Sequence, residues 1–323
     1  MDTLIIRSHP LPADLKALAA KARALLANTV SAATKRGYAS DFFGDWKVWA
    51  ENHNAPVLPA EPEWICLYLA DRSSTLKAAT LARRLNAISY YHRKANCLLS
   101  PTHHPLVRET FKAIRREIGT RQKIKQALLT DDVRKIVAYC PDSPAGKRDK
   151  ALYLVSFAGM LRREDSAGLM VEGLQFTSEG LVMTLDHGKT DQESRGREIS
   201  IVPGADPATC PLRALRDWLH AANLSSGPVF RAVDQKGRVS PSGLHRDSIG
   251  YIIKRAAARA GFSVKNIAGH SLRSGGITTA AENGVPEYII RRQSHHKPQS
   301  KSFHRYIRLA ERFSKNASSG LGL

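Results

Sequence analysis

Tyr306 stands near the C-terminal end in FHRYIR, preceded by histidines and arginines in separate short segments. His270 and Arg273 lie in HSLRS, His296 in SHHKP, and Arg162 far upstream in LRRED, with Lys189 between them in the polar run HGKTDQ. Side chains of these types grip a phosphate and move protons. A guanidinium offers a planar fork of donors that matches phosphate oxygens, and an imidazole changes protonation near neutral pH. Taken singly, each has an ordinary structural reading. A tyrosine on an amphipathic helix belongs to a core, LRRED to a solvated helix start, and HSLRS to a capped one. The ordered set Arg, Lys, His-x-x-Arg, His, Tyr on a basic chain points instead to phosphate chemistry.

Such side chains meet only if the C-terminal half folds around them. KRDKALYLVSFAGMLRREDSAGL predicts a helix, a turn at Ala158-Gly159 and a second helix start carrying Arg162. GLVMTLDHGKTDQESRGREISIVP holds β-prone runs at 181–185 and 198–202 around a polar loop, a hairpin or small sheet that presents Lys189. CPLRALRDWLHAA and GLHRDSIGYIIKRAAARAG read as helices. His270 and Arg273, three apart, share one helix face, and that helix should reach Asn283 and stop at Gly284. Pro286 and Pro298 each open a further helix, the last carrying Tyr306.

The first half predicts helices throughout. In VSAATKRGYASDFFGDWKVWAEN, Tyr38, Phe42, Trp46 and Trp49 fall on one helix face and read as core rather than as a base-stacking platform. PAEPEWICLYLADR carries Ile65, Leu67, Tyr68 and Leu69 behind an entrance proline. STLKAATLARRLNAISYYHRKA buries Leu81, Leu85 and Ile88 and exposes Lys77, Arg83, Arg84, Arg93 and Lys94, a face that can lie along DNA. HPLVRETFKAIRREIG adds another helix. TRQKIKQALLTDD is polar and basic, with a helix cap signal at Thr130 to Asp132. The expected division is therefore a helical domain over 1–122, a linker over 123–128 and a second domain over 129–323. Arg121, Lys123 and Lys125 are placed to follow a phosphate backbone.

Composition narrows the function class. The 323 residues suffice for two domains with their own cores, and 42% hydrophobic with 24% charged residues is the balance of a globular protein. The net charge is +20, from 20 basic and 10 acidic side chains up to residue 128 and 29 against 19 beyond it. Both halves are basic, so a polyanion contacted by both is the economical reading. Cys66, Cys97, Cys140 and Cys210 form no CxxC pair, which suits thiols in a reducing compartment and no zinc site. No apolar run approaches the ~20 residues that span a bilayer, and no secretory signal is seen.

FAGMLRREDSAGL, HSLRSG and FHRYIR resemble the first-arginine, HxxR and nucleophile motifs of the tyrosine recombinase (phage integrase) family, and CPLRALRDWL and GPVF resemble its connecting segments. TKRGYASDFFGDWKVW, PAEPEWICLYLADR and the QALLTDD linker resemble the helical domain of two-domain, Cre-like members. The resemblance implies a mainly α fold with a small β-sheet, in which a helical, SAM-like core-binding domain precedes a mixed α/β catalytic domain. It implies that Tyr306 attacks a DNA phosphate to give a 3′-phosphotyrosine and a free 5′-hydroxyl. Arg162 and Arg273 would hold the non-bridging oxygens, Lys189 would protonate the departing 5′-oxygen, His270 would serve as base and then acid, and His296 would donate a further hydrogen bond.

Two features depart from the family pattern. Asp165, in Glu164-Asp165, stands for the usual acidic residue and would orient its neighbours. His296 precedes Tyr306 by 10 positions, one more than usual, and Lys297 occupies the usual place. The implied partners are double-stranded DNA bearing a specific recombination site and, on synapsed DNA, a homotetramer built from a protein that is monomeric or weakly associated in solution. IRLAERFSKNASSGLGL, too short to bury Ile307, Leu309, Ala310 and Phe313 alone, would dock on a neighbouring subunit. The expected location is the bacterial cytoplasm, at the nucleoid, with no metal, no other cofactor and no membrane. The alternatives are a type IB topoisomerase-like or telomere-resolving enzyme and a non-catalytic DNA-binding regulator. A metal-dependent nuclease lacks its carboxylate cluster.

Overall fold

Aromatic residues repeated along one helix face organise the first of two compact units, Met1–Lys123; the second is Ile124–Leu323. The computed structural model describes residues 12–121, 125–185 and 196–321, apart from 28 and 98. In the first unit, α1 (Ala13–Ala27) is followed by α2 (Ala32–Asp41), whose start is capped by the Ser31 hydroxyl accepting the Thr34 N–H at 3.2 Å. A single π turn, Phe42–Trp46, joins α2 to α3 (Lys47–Asn52). Phe42, Trp46 and Trp49 are buried, and Tyr68 of α4 (Pro62–Ser73) meets both tryptophans edge-on. Those three are core, as their spacing predicts, while Tyr38, the first of the stripe, is half-buried against Tyr90. Within α4, Ile65, Tyr68 and Leu69 point inward while Leu67, grouped with them in the sequence, faces solvent at 56% exposure. α5 (Ala78–Lys94) and α6 (Pro105–Glu117) complete the unit.

One exposed-face expectation is corrected here. Lys77, Arg83, Arg93 and Lys94 are exposed, but Arg84 turns inward. Its Nη1 donates to Asp45 Oδ2 and, at 3.2 Å, to the Tyr68 hydroxyl, and its Nε lies 4.0 Å from Asp41. Asp41 is 5% exposed, and a buried carboxylate needs a cation close by. Arg84 supplies that charge, so its guanidinium is committed inside the domain. Arg83 reaches Asp41 from the surface at 2.8 Å. α1 was not foreseen either, because Leu15, Leu18, Leu25 and Leu26 remain exposed and mark no buried face.

The second unit takes hold of the chain earlier than the expected linker allows. Gln126 donates its backbone N–H to Asn266 O at 2.8 Å, Leu128 donates to Ser271 O at 3.0 Å, and the Leu128 side chain is fully buried. The segment from Gln126 onward thus belongs to the second unit's packing. α7 (Thr130–Ala138) begins with Asp132 reaching back to the Leu129 N–H at 3.0 Å. α8 (Pro144–Ala158) runs through the core, with nearly every side chain from Ala151 to Ser156 buried, and α9 (Arg163–Gly168) follows a turn at Gly159.

A three-stranded antiparallel sheet then forms from β1 (Leu174–Phe176), β2 (Leu181–Leu185) and β3 (Arg197–Ile201), in that order. β1 adds a third strand to the expected hairpin. Leu181, Met183, Leu185, Ile199 and Ile201 share the inner face, as period-two alternation requires. The register pairs Leu185 with Arg197, which puts an arginine in phase with inward-facing residues. α10 (Pro211–Ala221) packs on α8, a small hairpin of β4 (Arg231–Val233) and β5 (Val239–Gly243) follows, and α11 (Arg246–Arg259) leads into the site. The closing helices are α12 (Ser271–Glu282), α13 (Glu287–Ser294) and α14 (Lys301–Ala310). Pro286 caps α13 rather than entering it. α14 begins at Lys301 under a Ser300 cap, so Pro298 lies in the turn before it.

Candidate active site

α12 carries His270 at its N-cap and Arg273 one turn later, and two glycines fix where that helix sits. A Cβ on Gly275 would lie 1.7 Å from Leu128 O, and one on Gly276 would lie 2.5 Å from Phe157 O. The helix therefore packs directly against backbone on both sides. Held there, Arg273 is 5% exposed, donating from Nη1 to Met160 O and from Nη2 to Ser294 O at 2.5 Å. Arg162 precedes α9, and its Nη2 donates to His295 O at 3.3 Å. Met160 and His295, whose carbonyls orient the two arginines, both have left-handed backbones, with φ of 49° and 48°. Non-glycine residues adopt this conformation at a cost of about 1–2 kcal/mol, so packing around the site holds both in place.

Asp165 sits behind the arginines at 6% exposure. Its Oδ2 accepts the Arg162 backbone N–H at 2.9 Å, closing the first turn of α9, and its Oδ1 accepts Arg197 Nη2 at 2.5 Å. The orienting part expected of Asp165 thus falls on Arg162 and on Arg197, an arginine that sequence reasoning missed. Its signal was present: Arg197 is in phase with Ile199 and Ile201 on a strand, where a buried charge implies a partner. Among the described residues, Arg162 Nη1 and Arg197 Nε and Nη1 are buried without hydrogen-bond partners. Arg162, Arg197 and Arg273 converge, among the described residues, around one buried carboxylate, an arrangement with more positive than negative charge.

His296 follows the reversal at His295. Its Nδ1 lies 2.8 Å from the Ser294 hydroxyl, its ring is within 3.3 Å of Arg273 Nη2, and its centroid is 6.4 Å from that of Tyr306. A turn closed by Ser300 N–H donating to Lys297 O at 3.0 Å leads from His296 into α14. Phe303 and Ile307 anchor α14 against Met160, Ile277, Ala281 and Ile290, leaving Tyr306 at the rim of that cluster. Here the expected docking tail is corrected in part. Ile307 is 3% exposed and Ala310 packs on this same cluster, whereas Phe313 stays 82% exposed.

Arg162, His270, Arg273, His296 and Tyr306 line one open cleft of about 500 Å³, with His295, Lys297 and Ser300. Lys189 and Lys123 lie outside the described residues. Lys77, Arg121 and Lys125 are exposed, and Lys125 Nζ donates to Lys265 O. Burial, then the neighbouring Arg162, pulls the Arg273 guanidinium down to about 9, where it stays charged at neutral pH. Desolvation also lowers Arg162. Burial, then Arg273 and Arg162, brings His296 down to about 3, and His270 is lowered by desolvation and by Arg163. The cleft thus joins fixed cations to neutral imidazoles and a phenol, a set suited to a phosphodiester. Among the described residues no cluster of His, Cys, Asp or Glu could hold a metal ion, and no helix is long and apolar enough to cross a membrane.

Residues 126–312 match the phage integrase family. Over 305 residues the chain is 35% identical to an integrase/recombinase xerD homolog of Selenomonas ruminantium, spanning 93% of this chain and 88% of that relative. In structure it is similar to a lambda integrase dimer bound to a COC′ core site, with TM-score 0.59 and 15% identity over 94% of this chain and 83% of that one. A lambda integrase tetramer bound to a Holliday junction gives TM-score 0.57 and 17% identity, covering 90% of this chain and 76% of that one.

Proposed function

Because the chain belongs to the phage integrase family, and is thus a tyrosine recombinase that transfers DNA strands site-specifically, we propose how its residues divide the work. Tyr306 Oη attacks the scissile phosphorus while the P–O5′ bond breaks, leaving a 3′-phosphotyrosine and a 5′-hydroxyl. The phenolic proton passes to His270, which is neutral at physiological pH and able to accept it. Lys189 gives a proton to the departing 5′-oxygen. Attack by a 5′-hydroxyl from another strand reverses these transfers and releases the tyrosine.

Arg162 and Arg273 take the non-bridging oxygens as charge builds on them, and neutral His296 donates one further N–H. What supports this reading is the charge imbalance at the cleft: among the described residues Arg162, Arg197 and Arg273 gather about one buried carboxylate, Asp165, and Tyr306 lines the same cleft as Arg162 and Arg273. An anion brought there supplies what the fold lacks. Lys77, Arg83, Arg121, Lys123 and Lys125 lie along the duplex, the units Met1–Lys123 and Ile124–Leu323 act as the two DNA-gripping domains, and four copies assemble on synapsed sites. The work is done in the bacterial cytoplasm, at the nucleoid, with no metal or other cofactor.

Tyr306→Phe tests the reading. It removes one oxygen and leaves ring packing nearly unchanged, so gel shifts should stay normal, since many phosphate contacts supply the affinity. No covalent adduct should form, even on nicked duplexes that trap the intermediate. Arg162→Ala and Arg273→Ala should bind yet cleave at least about a hundredfold more slowly, and a chelator should change nothing. An adduct with Tyr306→Phe would transfer the nucleophile's role to another tyrosine.

A further inference from the structure

Beside the cleft lies a second groove of about 600 Å³, lined by Arg197, Tyr288, Arg291, Arg292 and Lys297, and the two share His295, His296 and Lys297 as a common wall. Tyr288, Arg291, Arg292 and His295 follow one another at helical spacing, so one stripe of α13 and its cap forms a side of the groove. Arg197, 8% exposed, also lines it, with two buried guanidinium nitrogens unpartnered among the described residues. Among the described residues no carboxylate lines the groove and no ion pair engages Arg291 or Arg292. Arg291 is half-buried while Arg292 and Lys297 are exposed, so the groove is an open surface of one charge sign, which draws an anion.

From these features we infer that the groove is a second phosphate subsite, which receives the DNA phosphate next to the scissile one on the cleaved strand. The inference rests on the strand-transfer reading above. Successive phosphates of one strand rise by only ~3.4 Å along the duplex axis, so a strand seated at Tyr306 must place a neighbouring phosphate close by. The shared wall at His295 to Lys297 gives it a cationic seat. Arg291 and Arg292 act there as phosphate contacts that set the register of the strand. They lie outside the set of groups that acts on the reacting phosphorus.

The test uses the full chain and an adduct-forming duplex selected from random sequence. Methylphosphonates replace, in turn, the phosphates on either side of the scissile one. At one of these positions wild-type cleavage should slow at least tenfold. The Arg291→Ala/Arg292→Ala variant should be slowed comparably on the natural duplex and lose nothing further at that methylphosphonate. If neither neutralised phosphate slows the wild type, or if the variant stays as sensitive as the wild type, the subsite is overturned while the tyrosine chemistry stands. If no duplex forms an adduct, the strand-transfer reading fails and inorganic phosphate decides the subsite instead. It should raise the melting midpoint of Tyr306→Phe more than that of the same protein carrying both alanines, and equal shifts would overturn the inference.

Discussion

Replacing Asp165 by asparagine keeps the shape of the side chain and removes the buried negative charge that, among the described residues, stands between Arg162, Arg197 and Arg273. The Asp165 side chain is 3% exposed and that of Arg197 8%, so solvent screens this pair little. Removing one partner of a buried pair costs about 3–5 kcal/mol, and a hydrogen bond to a charged group accounts for about 1.5–3 kcal/mol of such a loss. The asparagine can still accept one bond, so a loss of about 3 kcal/mol is expected. For a unit of this size that lowers the melting midpoint by roughly 6–12 °C. Adding Arg197→Gln removes one of the stranded cations and should restore part of the loss, with a coupling of about 1 kcal/mol or more.

Inorganic phosphate sharpens the assay, because an anion in the cleft replaces the missing charge and binds only the folded state. Its midpoint shift should be larger for Asp165→Asn than for wild type, measured by thermal melting on the full chain. If Asp165→Asn melts within about 2 °C of wild type and responds equally to phosphate, the carboxylate is not what balances the arginines. The charge argument for the cleft would then fail.

His296→Ala should lower single-turnover cleavage more than His295→Ala, since His296 touches Arg273 while the His295 ring turns to Glu198 O; the reverse order would shift the assignment by one residue. At position 295 the left-handed backbone favours glycine, so His295→Gly should melt above His295→Ala by the equivalent of about 1 kcal/mol. His296 is held near 3 when folded against an ordinary 6.5, so the unfolded chain takes up its proton first and stability falls as pH drops below about 6.5. Compared with wild type, His296→Gln should flatten the melting profile between about pH 6.5 and 4; identical slopes would contradict a depressed His296. Truncation after Lys315 should leave single-site gel shifts intact and weaken cooperative assembly, and unchanged synapsis would show that the remaining tail does not dock between copies.

The features legible in the sequence are those whose causes are local. Helical periodicity made Phe42, Trp46 and Trp49 a core stripe, and alternation marked the strands. Gly284 closed α12, and the three-residue step in HSLRS put His270 and Arg273 on one face. The order of Arg162, His270, Arg273, His296 and Tyr306 carried the family likeness without any coordinates. What the sequence left open depended on partners far away along the chain. Arg84 looked solvent-facing because its carboxylate partners, Asp41 and Asp45, come from a helix turn about forty residues earlier. Arg197 looked like an ordinary strand residue until folding brought Asp165 against it. Leu128 read as linker because the carbonyl that accepts its N–H, Ser271 O, lies far along the chain, and its backbone fits there because Gly275 lacks a Cβ. Residue types and periodicity are written in order along the chain. Burial of a charge is decided by whichever distant group the fold brings within reach, and only the tertiary structure makes that choice.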